Sequence, residues 1–314
     1  MRVLSAMMAV LVFGSPAFGQ AYCAMRDPVT GIFEAFPEAT SYRSITKTVT
    51  PDHRAAIAAE LPFTLHFNEL GRHTVYLAFK DRAPLGMVHV RSERGRYGLV
   101  EIGWVLGLDE RVQHVYFQRC RDPRADAAID VLAPNVRGAS FEDLHWQLQG
   151  VTVDEERMVL RSGLKTLSVT WTAWRDALLP YQAWTVAEAN IDGVDTVERR
   201  GLDLEVFAGS DALDVDGAAA FAVLGGDGSV LGAVVRLDWR VDDQQLDLWW
   251  VIDAPSRVGT LVRAGGLPDE TTAVLLESVQ GKNRAELESC STAAGVIATQ
   301  VLDAVGPIQK TRQP

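Results

Sequence analysis

Five short segments between residues 61 and 118 are dense in β-branched and aromatic side chains: 61–67, 74–80, 85–91, 99–106 and 112–118. Gly71, Pro84, Gly95 and the run Leu108, Asp109, Glu110 separate them. Such segments, bounded by turn residues, mark strands, and their short spacing predicts antiparallel pairing of neighbours in a meander. A second group follows at 202–207, 218–224, 230–239 and 246–252, with Gly225-Gly226-Asp227-Gly228-Ser229 as a hairpin turn inside it.

Helix signals frame these strands. Thr50, Pro51 and Asp52 supply a hydroxyl cap, a first-turn proline and an acid at the positive end of the helix dipole, and Pro62 stops that helix. Ser140 with Asp143 opens a short helix to about Leu148, and residues 151–153 read as one more strand edge. From Ser162, Leu164, Leu167, Trp171, Trp174 and Leu178 recur at steps of three and four until Pro180, which predicts one apolar face against a sheet. Pro268, Asp269 and Glu270 open a helix to about Val279, and 289–305 repeats Ala293, Ile297, Val301 and Val305 at steps of four.

The two halves share an order: strands, an acidic turn, then a Ser-containing loop into an amphipathic helix. The piece Val-Leu-Gly-x-Asp-x-x-Val occurs at 105–112 and again at 223–230, as in a duplicated unit. The expected fold is α+β, two tandem units of mainly antiparallel sheet packed with helices, at 20–182 and 183–314. A chain of 314 residues suits two domains.

Residues 1–19 read as a leader. Arg2 gives a positive start, 4–13 an apolar core too short to span a bilayer, and Ala17-Phe18-Gly19 a small-x-small cleavage site before Gln20. Tyr22 ahead of Cys23 is too large for lipoprotein processing, so an exported, soluble, periplasmic protein is expected. No later run of 18 apolar residues predicts a membrane span. The net charge of −11 argues against a nucleic-acid partner. Cys23, Cys120 and Cys290 form no CxxC, which leaves redox pairs and zinc clusters without support. A Cys23–Cys120 disulfide is the favoured pairing, with three buried free thiols as the alternative.

Several residues carry possible chemistry. Helix openings at Ser162-Gly163 and Ser289 offer backbone N–H groups to an anion. Lys165 can counter a phosphate charge, against the simpler reading of a solvated lysine. His66, His73, His89 and Arg91 lie among the strands, with Arg72, Arg82, Arg94 and Arg96 in the adjoining turns. They make either a local basic patch or a solvated outer face. Glu101 faces either a ligand or water. Trp171 and Trp174 are core by periodicity. Trp249 and Trp250 point to opposite faces, which predicts that one is exposed or at an interface. No Ser-His-Asp order, Walker loop or Rossmann glycine pattern is present.

The Asp109-x-x-Val112 turn, the later Ser162-Gly163 helix opening and the stretch Phe36-Pro37-Glu38-Ala39-Thr40-Ser41-Tyr42 resemble the FMN-binding domain family. That family includes exported flavin subunits of Rnf and Na⁺-pumping NADH:quinone reductase complexes and the periplasmic domain of nitrous-oxide-reductase regulators. The resemblance covers residues 33–180 and, more faintly, 200–305. It implies a Ser/Thr-Gly-Ala-Thr motif whose last residue receives FMN as a phosphoester from a flavin transferase. Ser162 and Gly163 match the first two positions, Leu164 replaces the alanine, and Lys165 stands where the acceptor hydroxyl belongs. Thr166 is one step on, about 100° around a helix. In the second half Ser289 and Thr292 match the first and last positions, leaving Thr292 as the candidate acceptor. The resemblance implies an electron-transfer accessory or flavin carrier, not an enzyme, serving a periplasmic or membrane redox complex. The alternative is a flavin-free scaffold or regulatory protein that kept the fold.

Overall fold

A computed structural model describes residues 28–66, 71–200, 214–241, 244–253 and 257–265, together with Lys282 and Glu286. Its first sheet contains β1 (Ser41–Thr48), β2 (Arg72–Lys80), β3 (Ala83–Gly95), β4 (Gly98–Leu106) and β5 (Val112–Arg119), all antiparallel and paired in chain order. The second contains β6 (Thr196–Arg200), β7 (Asp214–Leu224), β8 (Val230–Val241), β9 (Gln244–Asp253) and β10 (Arg257–Gly265), again an antiparallel meander in chain order. The α+β class with two sheet units therefore holds. The Gly225 to Ser229 turn joins β7 to β8 as expected, closed by Gly225 N–H to Ser229 O at 2.9 Å.

Six helices are described: α1 (Val29–Ala35), α2 (Pro51–Glu60), α3 (Pro123–Val136), α4 (Phe141–Gly150), α5 (Asp154–Ala173) and α6 (Arg175–Asn190). Thr50 caps α2 by accepting from His53 N–H, and Ser140 with Asp143 makes a full capping box on α4. The core of the first unit lies between one face of its sheet and α5. Leu77, Met87, Ile102, Trp104 and Leu106 meet Leu160, Leu164, Leu167 and Trp174 there. On the other face α1 packs Ile32 and Phe36 against Val88, Val90 and Val105.

α6 ties the two sheets together, and the expected division at 182/183 falls inside it. Leu179, Ala183 and Ala187 pack on Phe221, Val223, Val234 and Trp249 of the second sheet, while Tyr181 meets Phe79 of the first edge-on at 5.7 Å. Arg175 bonds Asp238 at 2.6 Å, and Arg82 in the β2–β3 turn bonds Asp195 at 2.8 Å. Trp249 and Trp250 are both buried, so neither is exposed, and Trp249 takes the interface alternative by packing against α6.

The sequence expectations fail at three places. Residues 61–66 form no strand, and 151–153 lead into α5 instead of making an edge. Pro180 does not end a helix. The break falls at Trp174, and Pro180 lies inside α6, where it removes one i→i−4 hydrogen bond without ending the helix. The predicted leader, the segment 202–207, both predicted C-terminal helices, Cys23 and Cys290 lie outside the described residues, so the Cys23–Cys120 pairing does too. No helix among the described residues is long and apolar enough to cross a membrane.

Candidate functional site

α5 begins eight residues before Ser162. Asp154, Glu155 and Glu156 fill its first turn, where the dipole favours acids. Ser162, Gly163, Lys165 and Thr166 therefore sit mid-helix, where a backbone N–H is already bonded to the carbonyl four residues back. The anion-binding helix opening expected at Ser162-Gly163 is not there. All four residues are buried. Ser162 Oγ accepts from the Trp104 indole N–H at 3.2 Å, and Thr166 Oγ1 donates to Ser162 O at 2.8 Å. Gly163 is required by close packing: a methyl group there would stand 2.6 Å from the Trp104 ring. Ser289 and Thr292 lie outside the described residues.

Lys165 is not the solvated lysine of the simpler expectation; it is 3% exposed. Residues 157, 161 and 165 are four apart and share a helix face. Arg157 is exposed, Arg161 half-buried and Lys165 buried, so a cationic row descends from solvent into the core. β3 supplies the opposing wall. His89, Arg91 and Glu93 alternate onto the face toward α5, all buried, which overturns the solvated-face reading of His89 and Arg91.

Between α5 and the end of β3 lies a cavity of about 370 Å³, lined by His66, Glu93, Arg94, Asp154, Arg157, Met158, Arg161 and Lys165. At its buried end Lys165 Nζ donates to Glu93 Oε2 at 2.6 Å. The Arg161 guanidinium lies 4.3 Å from the centre of the Phe63 ring, and Arg157 donates to Val151 O at 2.9 Å. These contacts hold both arginines in place. Four cationic side chains face two carboxylates, a local positive excess on a chain of net charge −11. The arrangement attracts and fixes an anion. It holds no nucleophile paired with a base, and among the described residues no group of His, Cys, Asp and Glu forms a metal cluster.

Behind the cavity the polar seam continues inward. His89 Nδ1 and Thr170 Oγ1 share a hydrogen bond of 2.8 Å, and the His73 and His89 rings lie 5.7 Å apart, both against Trp174. Burial, then the neighbouring His73 and Arg91, holds the His89 pKa well below the ordinary histidine value, so His89 is neutral. Trp174 anchors this end through its indole N–H to Ile45 O at 2.9 Å.

Of the expected basic residues, Arg94 and His66 reach the cavity. Arg82 is drawn to Asp195 at the opposite end of β3, and Arg96 lines a neighbouring pocket together with Arg94. Glu101 neither faces water nor joins the site. It is buried on the other sheet face, accepting from Gln118 at 2.9 Å. Arg157, Arg161 and Glu93 were not singled out from the sequence, although the step of four through Arg157, Arg161 and Lys165 was readable there. Comparisons of the chain with family models, with curated proteins and with solved structures found no match in any of the three.

Proposed function

We propose that this chain is a non-catalytic accessory protein, exported by its leader, that holds a small anionic ligand in the cavity between α5 and β3. The observation that carries this reading is the cationic row of Arg157, Arg161 and Lys165, joined by Arg94 over a cavity of about 370 Å³. That volume falls in the ordinary range of small-molecule sites. Guanidinium groups pinned by Phe63 and Val151 suit bidentate hydrogen bonds to phosphate or carboxylate. FMN bound non-covalently through its phosphate is the first candidate, and the protein then acts as a flavin carrier for a periplasmic or membrane redox complex. Covalent attachment along α5 has no support, because Lys165 carries no hydroxyl and Thr166 turns its own to Ser162 O. That same burial favours a second reading, a flavin-free scaffold that keeps the anion site for another ligand.

The test is fluorescence titration of the full chain with FMN and with riboflavin, which lacks the phosphate, beside inorganic phosphate as competitor. FMN should bind at least about tenfold tighter than riboflavin, since hydrogen bonds to charged groups contribute about 1.5–3 kcal/mol. Arg157→Gln with Arg161→Gln should remove that difference. Phosphate binding without FMN binding selects the flavin-free reading, and no binding of any anion overturns the proposal.

A further inference from the structure

The carboxylate at the buried end of the cavity is only half used. Glu93 Oε2 accepts from Lys165 Nζ at 2.6 Å, but Oε1 is buried and has no hydrogen-bond partner in the protein. Glu93 is 8% exposed and lines the cavity. A buried carboxylate oxygen without a partner is costly, and such an oxygen in a binding cavity selects for a ligand that donates to it. The arginines nearer the mouth ask for an anion at the other end. A ligand that meets both demands carries a hydrogen-bond donor and an anionic group on one short frame.

The charge balance decides which donor. Lys165 already neutralises Glu93, so a ligand ammonium reaching Oε1 would stand beside the Lys165 cation and be repelled by it. A hydroxyl donates without that repulsion. We infer that the ligand is a phosphate monoester of a polyol, its phosphate on Arg157 and Arg161 and a hydroxyl donating to Glu93 Oε1. This inference rests on the anion-site reading above and adds the second recognition element.

The test compares two phosphates of similar size, glycerol 3-phosphate and n-propyl phosphate, by calorimetric titration of the full chain. Glycerol 3-phosphate should bind about tenfold or more tightly, because only it supplies the hydroxyl. The double variant Glu93→Leu with Lys165→Met keeps the volume and avoids a lone buried charge. In it the ratio of the two affinities should fall close to one, whatever the absolute values become. Equal affinities in the unmodified protein, or a ratio that the double variant leaves unchanged, would overturn the inference while leaving the anion site intact. Failure of both phosphates to bind would overturn the anion site itself, and the inference with it.

Discussion

The Lys165–Glu93 pair sets the character of the site at the scale of single residues. Both side chains are almost fully buried, at 3% and 10% exposed, so water screens them little. A pair of this kind is weak evidence for stability but a strong constraint on substitution, since removing one partner strands the other charge. Lys165→Met alone should therefore destabilise the protein by about 3–5 kcal/mol, and the double replacement Lys165→Met with Glu93→Leu should recover most of that loss. Urea midpoints of the three proteins check this. Additive losses would show that the pair is not the unit described. The sequence placed Lys165 near an anion-binding helix start, and the residue is important for a different reason. Position 165 is legible as helical, but whether a lysine there meets solvent or a buried glutamate depends on the partner strand. Nothing local to 162–166 specifies that strand.

At the scale of elements, the packing of α5 on the first sheet is unusual because its inner face is partly polar. The apolar steps Leu164, Leu167 and Trp174 were readable and do face the core. The boundaries were not. Ser162-Gly163 mimics a cap and turn, yet the Trp104 ring fills the space beside Gly163 and its indole N–H donates to the Ser162 hydroxyl. A long-range contact thus overrides a local signal, and the helix begins at the acids 154–156 instead. The meander of β2 to β5 was legible because dense runs of β-branched and aromatic residues between turn residues are a local signal. β1 was not, since it is largely exposed and its sequence Ser-Tyr-Arg-Ser-Ile-Thr-Lys-Thr is mostly polar.

The seam between α5 and β3 also predicts a pH response. His89 is packed by Thr170 from α5, Trp174 at the α5–α6 junction, His73 from β2, Arg91 on its own strand and Trp104 opposite it on β4. Its folded pKa lies well below 6.5, mainly through burial, while an unfolded histidine titrates near 6.5. Below about pH 6.5 the unfolded chain thus binds a proton that the folded one refuses. The stability contribution is complete above that pH and declines as pH falls toward the folded pKa, by up to about 1.4 kcal/mol per pH unit. The drop in unfolding free energy between pH 7.5 and 5.5 should be smaller in His89→Gln than in the unmodified protein. Equal drops would show that His89 does not resist protonation.

Across the whole molecule, the two sheets repeat one topology but not one surface. The first carries the cationic cavity at its α5 face. The second is fastened to the first through α6, with Arg236 buried against Asp238 and Asp247 at 2.7 Å each and Arg175 reaching Asp238 from the helix. On this account the second unit supports α6 and takes no part in holding the anion. The tandem α+β plan was visible from strand spacing alone, whereas the cavity was not, because it is made by one helix and one strand far apart in sequence, with Lys165 and Glu93 separated by 72 positions. The most direct test is hydrogen–deuterium exchange of the full chain with and without glycerol 3-phosphate. Ligand-dependent protection should concentrate in peptides spanning residues 91–96 and 154–166. Protection confined to the second sheet, or none at saturating ligand, would contradict the assignment of an anion site to the α5–β3 cavity.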